Sequence, residues 1–281
     1  MNGVLVIDKE KNYTSRDIVN IVGKIFHTKK VGHTGTLDPL ATGVLVLCVG
    51  KATKLVELLT DHDKEYIADM TFGIETDTLD NTGTILNNEE KIISKEEILK
   101  ALKFYEKEYD QVVPLYSAVR IHGKKLYEYA REKEEVELPS RKVKIDKIEL
   151  LNYEIIHNQT HIQIQCHVSK GTYIRSLIRD IASFLGTSAV MTDLRRTRVG
   201  NFTLEDAVTL KELNKNSKLL KIEEVLPYPV IKVDGNLEFK IKNGCRIENI
   251  YQKSTILFKN ENQVLGLYKD EKGILKPYKM F

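Results

Sequence analysis

Two widely separated stretches of this chain alternate apolar and polar side chains, and that period of two constrains the fold more than any other feature. In Tyr66–Phe72, the side chains of Tyr66, Ala68, Met70 and Phe72 share one face, with Ile67, Asp69 and Thr71 on the other. In His161–Val168, Ile162, Ile164, Cys166 and Val168 form an inner face, and His161 and His167 lie on the polar one. A half-buried strand is the element that uses such a period. The pattern then changes: Ile174, Leu177, Ile178, Ile181 and Leu185 fall at helical spacing within Thr172–Leu185, and Gly186 supplies the stop. Two capping signatures mark further helices. Thr14-Ser15-Arg16-Asp17 precedes Ile18, Val19, Ile21, Val22 and Ile25, while Ser94 with Glu97 precedes Ile98, Leu99, Ala101, Leu102 and Tyr105, all expected to face inward. Val4–Ile7 and the apolar run Val44–Val49 read as strands. The expectation is an α/β (α+β) chain with a mixed, largely antiparallel sheet flanked by helices.

At 281 residues the chain can bury a substantial core, and 42% hydrophobic residues is a globular value. No segment approaches the ~20 apolar residues of a membrane span, and the N-terminus lacks the basic start and apolar stretch of a secretory signal. Cys48, Cys166 and Cys245 are odd in number and far apart, with no metal-like or redox-like pairing. A reduced, cytoplasmic, soluble protein is expected, with no membrane partner. Pro227 and Pro229 mark a boundary, giving a larger domain over 1–228 and a small β-rich one over 229–281.

Net charge is only +3, but it is unevenly placed. From Tyr228 onward there are ten Lys+Arg against six Asp+Glu, and Lys170–Arg198 holds six basic residues against Asp180 and Asp193. Two basic regions on a neutral body suit a polyanion, and equally a solvated surface.

Several chemistries are excluded by motif. There is no glycine-rich phosphate loop and no dinucleotide fingerprint. His157 and His161 are four apart, but His161 begins a strand, so helical ligand spacing fails. Asp77-Thr78-Leu79-Asp80-Asn81 reads as Asx-turns rather than a calcium loop. No metal and no cofactor is expected. The densest unusual segment is Gly32-His33-Thr34-Gly35-Thr36-Leu37-Asp38-Pro39-Leu40-Ala41-Thr42-Gly43. Pro39 biases Asp38 toward an extended backbone, although Asp followed by Pro also starts helices as cap and first residue. Gly43 and the Val44–Val49 run leave room for barely one helical turn. Both readings of Asp38 stay open at this point.

Four blocks in order carry a family resemblance: GHTGTLDPLATGVL at 32–45; Lys64-Glu65-Tyr66 with Phe72-Gly73 and Thr76-Asp77-Thr78-Leu79-Asp80; Gln111, Pro114, Tyr116-Ser117-Ala118 and Gly123-Lys124-Lys125-Leu126-Tyr127-Glu128; and Ser169-Lys170-Gly171-Thr172-Tyr173-Ile174-Arg175 with Leu194-Arg195-Arg196-Thr197-Arg198. The chain closely resembles the TruB family of bacterial tRNA pseudouridine synthases, which isomerise the T-loop uridine of tRNA (position 55 by tRNA convention). It departs from the family at Asp8-Lys9-Glu10-Lys11-Asn12-Tyr13-Thr14-Ser15, which lacks the usual proline and glycine, and at Val113 and Arg120.

The resemblance implies a pseudouridine synthase fold, a PUA-like RNA-binding C-terminal domain, and an isomerase with tRNA as its partner and no cofactor. It implies Asp38 as nucleophile, attacking either the base or ribose C1′, with Arg175 orienting it. Tyr66 would stack on the flipped uracil, with its hydroxyl a candidate for proton transfer, His33 would fill the space that nucleotide vacates, and Leu194 would wall the base pocket. Lys9, Lys64 and Lys170 would contact phosphate or support the site, and the charged stretch Arg120–Arg141 would close over RNA. A monomer with no required protein partner is expected. Two alternatives stand beside this reading: a tRNA-binding or tRNA-folding protein without catalysis, and a guide-RNA-dependent synthase.

Overall fold

The computed structural model describes residues 2–281. In chain order the first half contains β1 (Gly3–Lys9), α1 (Ser15–Ile25), β2 (Val31–His33), β3 (Thr42–Val49), α2 (Val56–Thr60), β4 (Lys64–Phe72), β5 (Ile74–Thr76), β6 (Ile85–Asn88), α3 (Lys95–Tyr105) and β7 (Glu108–Val112). There follow β8 (Arg120–Ile121), β9 (Lys124–Lys125), α4 (Leu126–Glu132), β10 (Ser140–Ile156), β11 (Gln159–Val168), α5 (Ile174–Phe184), β12 (Ala189–Val199) and β13 (Phe202–Thr203). The C-terminal part adds α6 (Ile222–Val225), β14 (Val230–Lys232), α7 (Gly235–Lys242), β15 (Ile247–Glu248), β16 (Thr255–Lys259), β17 (Val264–Glu271) and β18 (Ile274–Met280).

The large sheet runs β1-β3-β12-β4-β11-β10-β7, with β2 on β3 and β13 on β12. Its pairs are antiparallel except β12–β3, which is parallel. One face is covered by α1, α3 and α5, whose Ile18, Val22, Ile98, Leu102, Leu177 and Ile181 pack on Leu45, Ala68, Met70 and Ile164 of the strands. Both predicted capping boxes form, Thr14 with Asp17 and Ser94 with Glu97. Leu99 departs from the expectation: it is 47% exposed. Ile98, Ala101, Leu102 and Tyr105 recur at i, i+3, i+4 and i+7, and Leu99 falls outside that stripe.

The other face is covered by the five-stranded sheet β14-β16-β17-β18-β15. Leu257, Val264 and Leu267 from that sheet share one buried cluster with Val4, Val6, Val44 and Val46. The C-terminal part therefore closes the back of the large sheet. It also contains α7, which a strand-only reading of this segment misses; Leu237 and Ile241 sit one helical turn apart there, and Ile241 is fully buried. No helix among the described residues is long and apolar enough to cross a membrane.

Two of the departures from the family pattern have local reasons. Asn12 stands where the family has glycine and adopts φ +70, a region asparagine tolerates better than other non-glycine residues. Val113 stands where proline is common, and its N–H donates to the Pro139 carbonyl at 3.0 Å. A proline could not make that bond.

Candidate active site

Between β2 and β3 the chain forms a loop that no helix interrupts, so Asp38 is not a helix cap. The Ala41 N–H donates to the Asp38 carbonyl at 3.0 Å and the chain enters β3 at Thr42. The loop is held from several sides. Leu37 and Ala41 are buried in the core on either side of Asp38. The Ser15 hydroxyl accepts from Leu37 N–H at 2.8 Å and donates to its carbonyl at 3.1 Å. The Pro39 carbonyl accepts from Asn12 N–H at 2.9 Å and from Lys9 Nζ at 3.4 Å. Gly43 has φ +100, and a Cβ there would lie 2.1 Å from the Arg196 carbonyl oxygen, so only glycine fits this strand entry. Buried neighbours on both sides thus fix the backbone while the Asp38 side chain stays 37% exposed.

Arg175 enters from the first turn of α5 and is almost fully buried. Its Nη2 lies 2.8 Å from Asp38 Oδ2 and donates to the Tyr116 carbonyl at 3.1 Å. Nη1 donates to the Thr78 carbonyl at 3.0 Å, and Nε is 4.0 Å from Asp80 Oδ2. Asp80 is itself fixed, accepting from Thr78 Oγ1 at 2.8 Å, Thr82 N–H at 3.0 Å and Thr82 Oγ1 at 2.5 Å. These are the Asx-type bonds expected of the segment. The planar guanidinium is therefore clamped by two carbonyls and a carboxylate before it meets Asp38, a geometry a lysine could not reproduce.

The floor beside this pair comes from one face of the large sheet. Arg196 of β12 lies opposite Tyr66 of β4, and Leu194 lies opposite Ala68. Lys64, two residues before Tyr66, is on the same face. Asp38, Tyr66, Arg175, Leu194, Lys64 and Lys170 all line one cleft of about 670 Å³. Tyr66 is 7% exposed, and its hydroxyl makes no hydrogen bond to any described residue. Lys64 Nζ donates to the Thr60 and His62 carbonyls at 2.9 and 2.5 Å. Burial, then the nearby Arg196, lowers its pKa to about 8. Lys170 stands at the mouth, exposed and paired with Asp61.

Two expected substrate residues do not line the cleft. Lys9 is fully buried, its Nζ donating to the Tyr13 and Glu10 carbonyls at 2.7 and 3.0 Å as well as to Pro39. Of the two roles weighed for it, support of the loop fits and phosphate contact does not. Burial lowers its pKa to about 8, with Asp38 acting the other way and Arg196 adding to the lowering. His33 sits on β2 with Nδ1 buried and unpartnered, and burial followed by Arg196 and Arg16 lowers its pKa.

Arg196 and Asp80 have no role assigned from the sequence, and Arg141 enters only as the end of the charged stretch expected to close over RNA. Arg141 lines the cleft and lies 5.4 Å over the Tyr173 ring. Arg196 could have been found, since it shares the parity of Leu194 in an alternating run, whereas the Asp80–Arg175 contact joins distant segments with no local signature. The cleft lining offers Asp38 as its sole carboxylate, six Lys or Arg side chains, and no His or Cys. Such a set favours an anion over a metal ion. The grouping of Asp63, Asp146 and His167 lies elsewhere, with both carboxylates exposed.

A sequence profile described as the TruB family pseudouridylate synthase N-terminal domain matches residues 23–174. A second, described as the tRNA pseudouridylate synthase B C-terminal domain, matches 175–228. The tRNA pseudouridine synthase B of Bacillus pumilus is 47% identical, covering 87% of this chain and 83% of that protein. The protein of the same name from Caldanaerobacter subterraneus subsp. tengcongensis is 39% identical, covering 100% and 99%. Among solved structures, a chain of the "Cbf5-Nop10-Gar1 Complex" aligns with a TM-score of 0.72 at 26% identity, covering 99% of this chain and 84% of that one.

Proposed function

The chain belongs to the TruB family of pseudouridylate synthases, and from that premise we propose that its cleft isomerises the T-loop uridine of tRNA with Asp38 as nucleophile. The family activity is that of an isomerase converting uridine to pseudouridine in tRNA. The observation that carries the residue assignment is the Asp38–Arg175 pair at 2.8 Å, set in a cleft walled by Tyr66 and Leu194.

The base must leave its stack to reach that depth. Tyr66 offers an aromatic face worth roughly 1–3 kcal/mol per stacked base, and Leu194 offers an apolar wall. Asp38 forms a covalent bond to the nucleotide, dividing one difficult exchange into easier steps. The C1′–N1 bond breaks, the base turns, C5 bonds to C1′, and the bond to Asp38 breaks with its electron pair returning to the carboxylate. The C5 hydrogen leaves as a proton and N1 takes one up, so atoms and charge balance without a redox partner. Arg175 holds the carboxylate in one orientation and offsets its desolvation.

Lys170, Lys142 and Arg141 at the mouth suit the phosphates of an RNA, whose binding would then weaken with salt. Residues 229–281, with their excess of basic side chains, act as the RNA-binding PUA-like unit, and 1–228 as the catalytic one. The protein works as a monomer in the cytoplasm, without guide RNA or a protein partner.

The test uses unmodified tRNA tritiated at uridine C5. Wild-type protein is expected to release tritium to water, Asp38→Asn to release none, and changing the T-loop uridine to abolish release. Tight tRNA binding by folded wild type without release would favour a non-catalytic RNA-binding role. Release that requires added guide RNA would favour the guide-dependent branch.

A further inference from the structure

Arg175 has Asp38 at its guanidinium and Asp80 beside it. Arg196 has no such company. It is 2% exposed, a guanidinium that stays charged in any protein, yet no carboxylate among the described residues pairs with it. Its Nε donates to the Val44 carbonyl at 2.7 Å and its Nη2 to the Gly35 carbonyl at 3.2 Å. Its Nη1 hydrogen-bonds to no described residue, is not among the orphaned fully buried atoms, and belongs to a side chain lining the cleft. A second buried cation stands close by. A Cβ on Gly35 would lie 3.6 Å from Arg196 Nη1 and 4.0 Å from Lys64 Cε, so both side chains converge on one spot. Lys64 too is capped by carbonyls alone.

Burying charge without counter-charge is costly unless something compensates it. Carbonyl dipoles supply part of that compensation, and the free Nη1 leaves the rest to a negative group entering the cleft. Depth decides which group. The mouth has its own exposed cations, Lys142 and Lys170, within reach of a phosphate backbone. Arg196 lies at the floor, cross-strand from Tyr66 and two residues from Leu194, where the base itself would sit.

We propose that Arg196, backed by Lys64, stabilises the negative charge that collects on the uracil as its bond to the ribose breaks; this rests on the isomerase reading above. If Asp38 attacks C1′, the C1′–N1 electron pair departs with the base and spreads over N1, O2 and O4. If Asp38 attacks the base, the displaced pair lands on the same ring and its oxygens. Either route puts an anion beside Arg196, and a fixed donor in a water-poor site favours that state over the neutral substrate.

The test compares single-turnover cleavage of two full-length tRNAs, one with uridine and one with 5-fluorouridine at the target, by following loss of the N1-linked nucleoside. Fluorine at C5 withdraws electrons and stabilises the base anion from within, so it substitutes for a missing protein charge. Arg196→Met and Lys64→Met are expected to slow uridine cleavage, Arg196→Met by about 100- to 1,000-fold. In both variants the ratio of fluorouridine to uridine rates should rise about tenfold or more over wild type, while Arg196→Lys keeps the wild-type ratio. Each ratio is taken within one preparation, so a partly unfolded variant reports it as faithfully as a fully folded one. An unchanged ratio in the Met variants would overturn the proposal and leave Arg196 as a clasp of the Asp38 loop. Weaker tRNA binding with an unchanged rate at saturation would overturn it in favour of a phosphate contact. Wild-type protein inactive on both tRNAs would instead sink the isomerase reading.

Discussion

Gly43→Ala tests how far the Asp38 loop depends on one strand entry. Two separate costs follow from the structure. The residue has φ +100, and left-handed backbone costs an L-residue about 1–2 kcal/mol. The added methyl would also lie 2.1 Å from the Arg196 carbonyl oxygen and 2.9 Å from that residue's backbone N and C. All three are backbone atoms of the parallel β3–β12 pair, so the strands must part, at an overpacking cost of about 1–3 kcal/mol. Together these make about 2–5 kcal/mol, a large share of the ~5–15 kcal/mol that holds a typical protein folded. Gly123→Ala is the matching control: φ is +84, and a Cβ there would meet nothing within 4 Å. It should cost only the backbone part, about 1–2 kcal/mol. Urea unfolding followed by far-ultraviolet circular dichroism gives both values. Gly43→Ala should exceed Gly123→Ala by about 1–3 kcal/mol, and its tritium release should fall further than its unfolded fraction explains. Equal destabilisation by the two variants would refute the steric reasoning.

Tyr66→Phe keeps the packing and stacking face of a residue that is 7% exposed, so stability should hold within ~0.5 kcal/mol. Any loss of single-turnover rate then measures the hydroxyl, and an unchanged rate would leave the ring with a stacking role alone. Lys64 has a folded pKa near 8 against 10.5 for an ordinary lysine, through burial and Arg196, with Asp63 and Asp61 opposing and Lys170 adding to the lowering. Between these values the unfolded chain holds more protons, so stability should rise with pH across that window. The stability of wild type minus that of Lys64→Met should therefore grow from pH 8 toward 10.5, and a flat or falling difference would contradict a buried, destabilised ammonium. Comparing variants cancels the buried thiols of Cys48 and Cys166, which burial pushes up to about 12 and which act with the opposite sign. Leu267 is fully buried in the cluster joining the C-terminal sheet to β1 and β3. Leu267→Ala should cost about 2–5 kcal/mol and lower the midpoint of the whole molecule in one transition; a separate early transition confined to the C-terminal part would show that the two sheets unfold independently.

Much of the architecture was legible because its signals are local. The alternation in Tyr66–Phe72 and His161–Val168, the two capping boxes and Gly186 after α5 all depend on neighbours within a few residues. The β12–β3 parallel pairing and the α7 helix were not legible. The first joins residues some 150 positions apart, and the second has only Leu237 and Ile241 as a weak apolar stripe. At the site, motif resemblance picked out Asp38, Tyr66, Arg175 and Leu194, and the cleft brings them together. It could not tell that Lys9 points into the protein or that Arg196 lacks an acidic partner. Both facts depend on what lies across a fold, not along a chain.

The sheet itself explains why the proposed catalytic cleft can sit against a packed core. Along β4, Lys64, Tyr66, Ala68, Met70 and Phe72 lie on one continuous face. From Ala68 onward that face meets the helices, and every residue on it is apolar. At Tyr66, still part of that buried cluster, and at Lys64 the same face also lines the cleft, with an aromatic ring and an ammonium. β12 repeats the change, from Met191 in the core to Leu194 and then Arg196 at the floor. Along β4 a single alternation thus serves packing at one end and chemistry at the other, while β12 needs the bulge between Met191 and Asp193 to bring Met191 and Leu194 to one face. Rigidity follows directly, because Tyr66 and Arg196 sit on strands whose far ends are locked by Met70 pairing with Met191. A site built this way holds its geometry before substrate arrives, as stabilisation of a transient anion by fixed charges requires.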